Sequence, residues 1–379
     1  MRRVLFVFGT RPEAIKLCPL VKRLAVEPER FQVRVCVTAQ HRSLLDQVLS
    51  AFQVEPHHDL DIMQPGQTLA QLTSRALAAL EPVIEREQPD LVVVQGDTTT
   101  TFCAALAGFY ARLPVAHVEA GLRTGDKLAP FPEEINRVLT SRISDLHFAA
   151  TGEAAANLRA EGVAADTIFV TGNTVIDAVL FIRDQLEQGR LPRPPWPFLD
   201  PDRKLILVTA HRRESFGEGF ERICQALARL AERSDAQIVY PVHCNPQVRE
   251  PVRRFLNSRP HVHLIEPLEY VPFVDLMSRA WLILSDSGGV QEEAPSLGKP
   301  VLVLREKTER PEAVRAGTVR LVGTDVDRIL AETRLLLEDP DHYRRMARCH
   351  NPYGDGRACQ RIAEILARRS LGGLGRPPG

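Results

Sequence analysis

The stretch RVLFVFGTRPEAIKLCPLVKRL (3–24) changes its hydrophobic period at Gly9. Before the glycine, a short unbroken apolar run reads as a strand buried on both faces. After it, Leu17, Leu20, Val21 and Leu24 fall at i, i+3, i+4 and i+7, one face of a helix. Pro12 suits the first turn of that helix, where a missing N–H costs nothing. Strand, tight turn and helix together open a βαβ unit. Arginines ahead of an apolar run also mimic a signal peptide, but this run is too short for one and charges follow at once.

The same change of period recurs along the chain. Strand candidates follow at 32–39, 90–96, 114–120, 145–150 and 167–172, then at 204–210, 236–242, 261–266, 281–287, 299–304 and 318–323. Helical spacing lies between them, so the fold class is α/β, with two doubly wound parallel sheets in tandem. A length of 379 residues agrees with two domains. The compositional break is GRLPRPPWPFLDPDRK (189–204), where proline excludes regular structure, although TGNTVIDAV (171–179) offers an earlier hinge. The tail LGGLGRPPG (371–379) can build no core and is expected to be disordered.

Lys plus Arg and Asp plus Glu number 48 each, so no global field draws nucleic acid or an anionic membrane. No apolar stretch approaches a membrane span. Anion binding must therefore be local. Seven scattered cysteines without a CxxC pair argue for reduced thiols and a cytoplasmic protein. The histidines show no HExxH spacing, so no metal is expected, and the missing GxGxxG weakens any dinucleotide reading.

In open α/β sheets, ligands bind beyond the carboxyl ends of the strands. The residues found there include Arg11, Asp97, Glu119, His211 and Arg310, with glycines among them. In SDSGGVQEEAPSLGKP (285–300), Ser287, Gly288 and Gly289 open a helix with bare backbone N–H groups, and Glu292 and Glu293 follow. Two readings stand: a phosphate and ribose site, or simple N-capping by Ser287. Asp97 in QGDTTTT also has two, an N-cap or a reactive acid. Glu119, directly after a buried strand, needs a partner or a job. Glu133 and Glu134 open a helix behind two prolines. Asp97, Glu119 and Glu133 could thus converge on one sheet edge.

Together FGTRPEAIKLCPLV, CVTAQHR, GDTTTT, HVEAGLRTGD, PFPEEINR, TGNTVIDAV, VTAHRRESFG, SDSGGVQEEAPSLGKPVLVLR, TERPEAV and NPYGDGRA resemble the non-hydrolysing bacterial UDP-N-acetylglucosamine 2-epimerases. The resemblance implies a GT-B fold, two Rossmann-like domains facing a central cleft, with the C-terminal helix crossing back to the N-terminal domain. Residues 1–171 and 354–370 would form one domain and 172–353 the UDP-binding one. It implies reversible interconversion of UDP-GlcNAc and UDP-ManNAc for surface polysaccharide, by elimination of UDP to 2-acetamidoglucal and re-addition, without cofactor. Asp97, Glu119, Glu133 and His211 would be catalytic. Arg11, Lys16 and Arg310 would hold nucleotide and diphosphate, Ser287, Gly288 and Gly289 the phosphates, Glu293 the ribose and Phe273 the uracil. Gln40, His41 and His243 match an allosteric UDP-GlcNAc site of some members, and a homodimer is implied. A hydrolysing 2-epimerase and a GT-B glycosyltransferase are the alternatives.

Overall fold

Runs of apolar, β-branched residues bounded by glycine and polar turns form two parallel sheets, each covered by helices. A computed structural model describes residues 1–38, 42–348 and 350–369. The chain divides into one unit of Met1–Ala178 together with the segment from Tyr353 onward, and a second of Val179–Pro352.

The first unit holds β1 (Arg2–Phe8), β2 (Phe31–Val37), β3 (His58–Asp59), β4 (Leu91–Gln95), β5 (Val115–Val118), β6 (Leu146–Ala149) and β7 (Ile168–Val170). Their order across the sheet is β3-β2-β1-β4-β5-β6-β7, every pair parallel. The second unit holds β8 (Lys204–Thr209), β9 (Ala236–Pro241), β10 (Val262–Ile265), β11 (Leu282–Ser285), β12 (Val301–Val303) and β13 (Val319–Leu321). Their order is β10-β9-β8-β11-β12-β13, again all parallel. Both sheets are therefore doubly wound, as the alternation of periods requires. The order reverses between β1 and β4 and between β8 and β11, and a crevice opens at such a point beyond the strand ends. All twelve expected strands form. The two-residue edge strand β3 is an addition, too short and polar to register as an apolar run.

Val4–Phe8 of β1 and all of β4 are buried, since helices cover both faces. The turn after β1 is equally confined. A Cβ on Gly9 would lie 2.0 Å from the Thr38 hydroxyl and 2.8 Å from that of Thr100. Thr10 then caps the helix Arg11–Ala25 in a reciprocal capping box with Glu13. The proline-rich stretch 189–204 is not where the chain passes between units. It lies within the second unit, where the Trp196 indole donates to Asp275 (2.7 Å) and Phe198 stacks on His263. The passage falls instead inside the helix Thr174–Glu187.

The last described helix, Ala358–Arg368, belongs to the first unit, as the C-terminal crossing expected of the fold requires. It packs on Arg11–Ala25 and buries Cys359, Ile362, Ala363 and Leu366 at helical spacing. Asp177 caps it, accepting from the backbone of Ala358 (3.1 Å) and Cys359 (2.9 Å). The tail 371–379 lies outside the described residues. Among the described residues, no helix is long and apolar enough to cross a membrane.

Candidate active site

In the first unit, the turns after β1, β4 and β5 share one sheet edge because the strands are parallel. Glu13 is the hub beneath them. Buried almost completely, it accepts from the backbone of Gly9 (3.1 Å) and Thr10 (2.8 Å) and the hydroxyls of Thr98 (2.8 Å) and Thr101 (3.0 Å). Burial pushes its carboxyl up, and these bonds pull it back.

Two further carboxylates stand above this hub in contrasting surroundings. Asp97 follows β4, but the N-cap of the next helix is Thr98, whose hydroxyl accepts from Thr101 (3.1 Å). The Asp97 side chain is thus released from capping and pairs with the buried Arg137 instead. Its backbone carbonyl accepts from Asn136 (3.0 Å). Burial pushes the Asp97 carboxyl above its usual range. Arg137 opposes that, Glu119 reinforces it, and Lys16 opposes it again. Glu119 follows β5 with φ 64, the left-handed region that non-glycine residues seldom enter. Its carboxylate takes the Lys16 ammonium on both oxygens (2.7 and 2.6 Å), the Asn173 amide (3.0 Å) and the Gln95 amide. Lys16, expected on a diphosphate, is thereby engaged with a carboxylate. Arg11 is the first residue of its helix and half-buried.

Glu133 also opens a helix, Glu133–Ile143, behind Pro132, and is half-buried. Its neighbour Glu134 is the buried one, accepting from the backbone of Thr124 (3.1 Å) and Gly125 (3.0 Å) and pairing with Arg137 at 3.3 Å. Arg137 therefore ties the helix to Asp97. Beneath Asp97, His117 is fully buried, with Nε2 2.7 Å from the Gly96 carbonyl, and burial pushes its imidazole down to about 3.

In the second unit, the turns after β8 and β11 meet through Asp286. That residue is completely buried and accepts from the backbone of His211 (2.6 Å) and Arg212 (2.7 Å). His211 is partly open and stacks on His243, with ring centroids 5.2 Å apart and planes 8° apart. Burial pushes the His211 imidazole down, Asp286 pulls it up, and His243 and Arg212 push it down.

Ser287 occupies the N-cap of the helix Gly288–Glu293, yet its side chain makes no capping bond. The capping reading therefore does not account for this serine. The first N–H groups of that helix have no intrahelical acceptor. Arg310 reaches the same turn: a Cβ on Gly288 would stand 3.8 Å from its guanidinium, which is paired with the buried Glu292. Glu293 is buried and accepts from the Tyr270 hydroxyl (3.0 Å). Tyr270 begins the helix Tyr270–Arg279, and Phe273 lies three residues on, half-exposed. Ser287, Gly288, Gly289 and Glu293 thus share one short helix and its cap, and the Arg310 side chain reaches it.

Gln40 and His41 lie outside the described residues. His243, expected with them at an allosteric site, stacks on His211. Sequence reading passed over Glu13, Gln95, Arg137, Asn173, Tyr270 and Asp286, which hold the turns and side chains of this site. All but Tyr270 lie in or beside a motif already noticed, but each has a partner remote in sequence. For Gln95 and Asp286 the signal is a polar residue at the end of a buried strand.

A family model described as UDP-N-acetylglucosamine 2-epimerase matches residues 23–367. A UDP-N-acetylglucosamine 2-epimerase of Escherichia coli (strain K12) is 60% identical over 374 residues, covering 97% of this chain and 99% of that protein. The crystal structure of UDP-GlcNAc 2-epimerase from Neisseria meningitidis bound to UDP-GlcNAc is 50% identical. It has a TM-score of 0.87 and covers 97% of this chain and 100% of that one. The Methanocaldococcus jannaschii UDP-GlcNAc 2-epimerase in complex with UDP-GlcNAc and UDP is 35% identical, with a TM-score of 0.76 and coverage of 96% and 99%.

Proposed function

This chain belongs to the UDP-N-acetylglucosamine 2-epimerase family, and on that premise we propose how its residues perform the reaction. The enzyme is an isomerase that reversibly inverts C2 of UDP-GlcNAc and UDP-ManNAc. The C2 proton of the sugar is not α to a carbonyl, so direct removal is very difficult. Breaking the C1–O bond first leaves an oxocarbenium-like centre that makes C2–H acidic. The proton passes to a carboxylate, giving 2-acetamidoglucal and UDP. Protonation of C2 from the other face and return of UDP to C1 complete the inversion. Atoms balance without an oxidant or reductant.

The observation that carries this reading is the pairing of Asp97 and Glu119 on neighbouring strand ends in unlike surroundings. A carboxyl raised by burial is suited to hold and release a proton, whereas one clamped by a cation and two amides is suited to stay charged. We assign proton transfer at C2 to Asp97, and stabilisation of positive charge on the sugar ring to Glu119. Glu133 is assigned to the same chemistry as a second acid/base. The second unit is assigned the nucleotide: Ser287, Gly288, Gly289 and Arg310 the diphosphate, Glu293 the ribose, Phe273 the uracil. His211 is assigned the leaving diphosphate, where its ring N–H stabilises developing charge. Arg11 and Lys16 are assigned to the anion.

Incubation in D₂O tests the reaction. Deuterium should enter C2 of both nucleotide sugars without an acceptor, and Asp97→Asn should lower the exchange by at least about 100-fold. UDP accumulating in step with turnover would instead favour the hydrolysing reaction, and absence of deuterium a glycosyltransferase.

A homodimer is proposed as the working form. Ile135 and Leu139 are exposed one turn apart on Glu133–Ile143, and Phe109 and Tyr110 are exposed on the neighbouring helix Thr99–Tyr110. Light scattering should read twice the chain mass, and Leu139→Glu should lower it. A cytoplasmic location is proposed because the six described cysteines are free thiols, which suits a reducing compartment.

A further inference from the structure

We propose that Asp286 is the positioning residue for His211, holding ring atom Nδ1 so that Nε2 is the atom presented to the leaving diphosphate. This rests on the role of His211 given above. Asp286 directly follows β11 with no exposed surface, and its two oxygens differ. Oδ2 accepts the two backbone N–H groups that fix the turn after β8. Oδ1 is buried with no hydrogen-bond partner and stands 3.5 Å from Nδ1 of His211. A buried carboxylate oxygen without a donor is costly, and a histidine N–H is the donor nearest to relieving it. A small rotation of the ring makes the bond. It selects the Nδ1–H form of the neutral ring, and protonation then places the second hydrogen on Nε2.

The groups facing this ring come from three directions. Asp286 faces it from the end of β11, His243 stacks on it from the loop after β9, and Arg212 follows it in its own loop. Behind it, the Tyr240 hydroxyl of β9 donates to the Ala210 carbonyl (2.5 Å) and fixes the residue before the ring. Among these only Asp286 favours the imidazolium, and the other two charged or chargeable neighbours oppose it. An imidazolium donating from Nε2 offsets charge on UDP as the C1–O bond breaks. The proton is not consumed, since the charge it stabilises disappears when UDP returns.

Asp286→Asn in the full-length enzyme tests this. The amide oxygen can still accept the two backbone N–H groups, so only the charge and the bond to Nδ1 are removed. The His211 titration, followed by NMR, should move to lower pH. The high-pH limb of the kcat profile should follow it, and kcat should fall roughly 10- to 100-fold with KM little changed. In the unmodified protein, ¹⁵N correlations should place the proton of neutral His211 on Nδ1, a reading that needs no variant. A proton on Nε2, or a His211 titration unmoved by Asp286→Asn, would overturn the proposal. A titration that moves while kcat stays constant would leave the hold of Asp286 on His211 standing. It would remove His211 from the leaving-group chemistry.

Discussion

Asp97 and Glu119 leave adjacent strands only a short distance apart in sequence, and for Asp97 burial sets the consequence for stability. A carboxyl raised in the folded state prefers its proton there, so the unfolded chain gives that proton up more readily. Between its unfolded and folded values, stability falls as pH rises, and ionised Asp97 is a net cost near neutrality. Asp97→Asn should therefore unfold at an equal or higher denaturant concentration near pH 7, while C2 exchange falls by at least about 100-fold. A clear loss of stability would mean that the Arg137 ion pair outweighs burial. His117 carries the opposite sign of dependence. Its folded value is pushed from 6.5 to about 3, so the unfolded chain binds the extra proton within that window. Stability should drop by about 1.4 kcal/mol per pH unit as pH falls from 6.5 towards 3, with His147 pulling the same way. Denaturant midpoints measured between pH 7 and 5 read this slope, and His117→Asn should flatten it.

At the scale of the element, the turn after β1 concentrates the constraint. Gly9→Ala forces a methyl into two threonine hydroxyls and should cost about 1–3 kcal/mol. Glu13→Ala orphans buried donors in two separate turns and should cost about 2–4 kcal/mol, more than losing the Thr10 cap alone. Thermal unfolding of the variants checks the order. These strands and helices were legible because hydrophobic period is a local signal, readable within a few residues of Gly9 or Ser285. Chemistry at the strand ends was legible for the same reason, since Asp97, Glu119 and His211 each follow an apolar run. The partners were not. Nothing near Glu119 in sequence announces Lys16 or Asn173, because those contacts exist only once parallel strands bring their ends to one edge. Asp97 shows the reverse case, since the capping that its sequence allows goes to Thr98.

For the molecule as a whole, the crossings between units are stitched together within the first one. The Asn173 backbone N–H donates to the Tyr353 carbonyl (2.7 Å), and the side-chain amide of the same residue donates to Glu119 (3.0 Å). Asp177 caps the helix Ala358–Arg368 a few residues further on. A chain ending at Pro352 should lose order in the first unit while the second remains protected, as hydrogen exchange would show. Asp177→Ala should be milder, about 1 kcal/mol. The placing of that last helix also bears on how the protein is made. On the ribosome the N-terminal sheet emerges first, yet the helix that covers Arg11–Ala25 is translated only after the whole of Val179–Pro352. At ordinary rates of synthesis that delay is on the order of ten seconds or more. The carboxylates to which we assign the proton transfers thus leave the ribosome in the first half of synthesis, and their unit is the last to close.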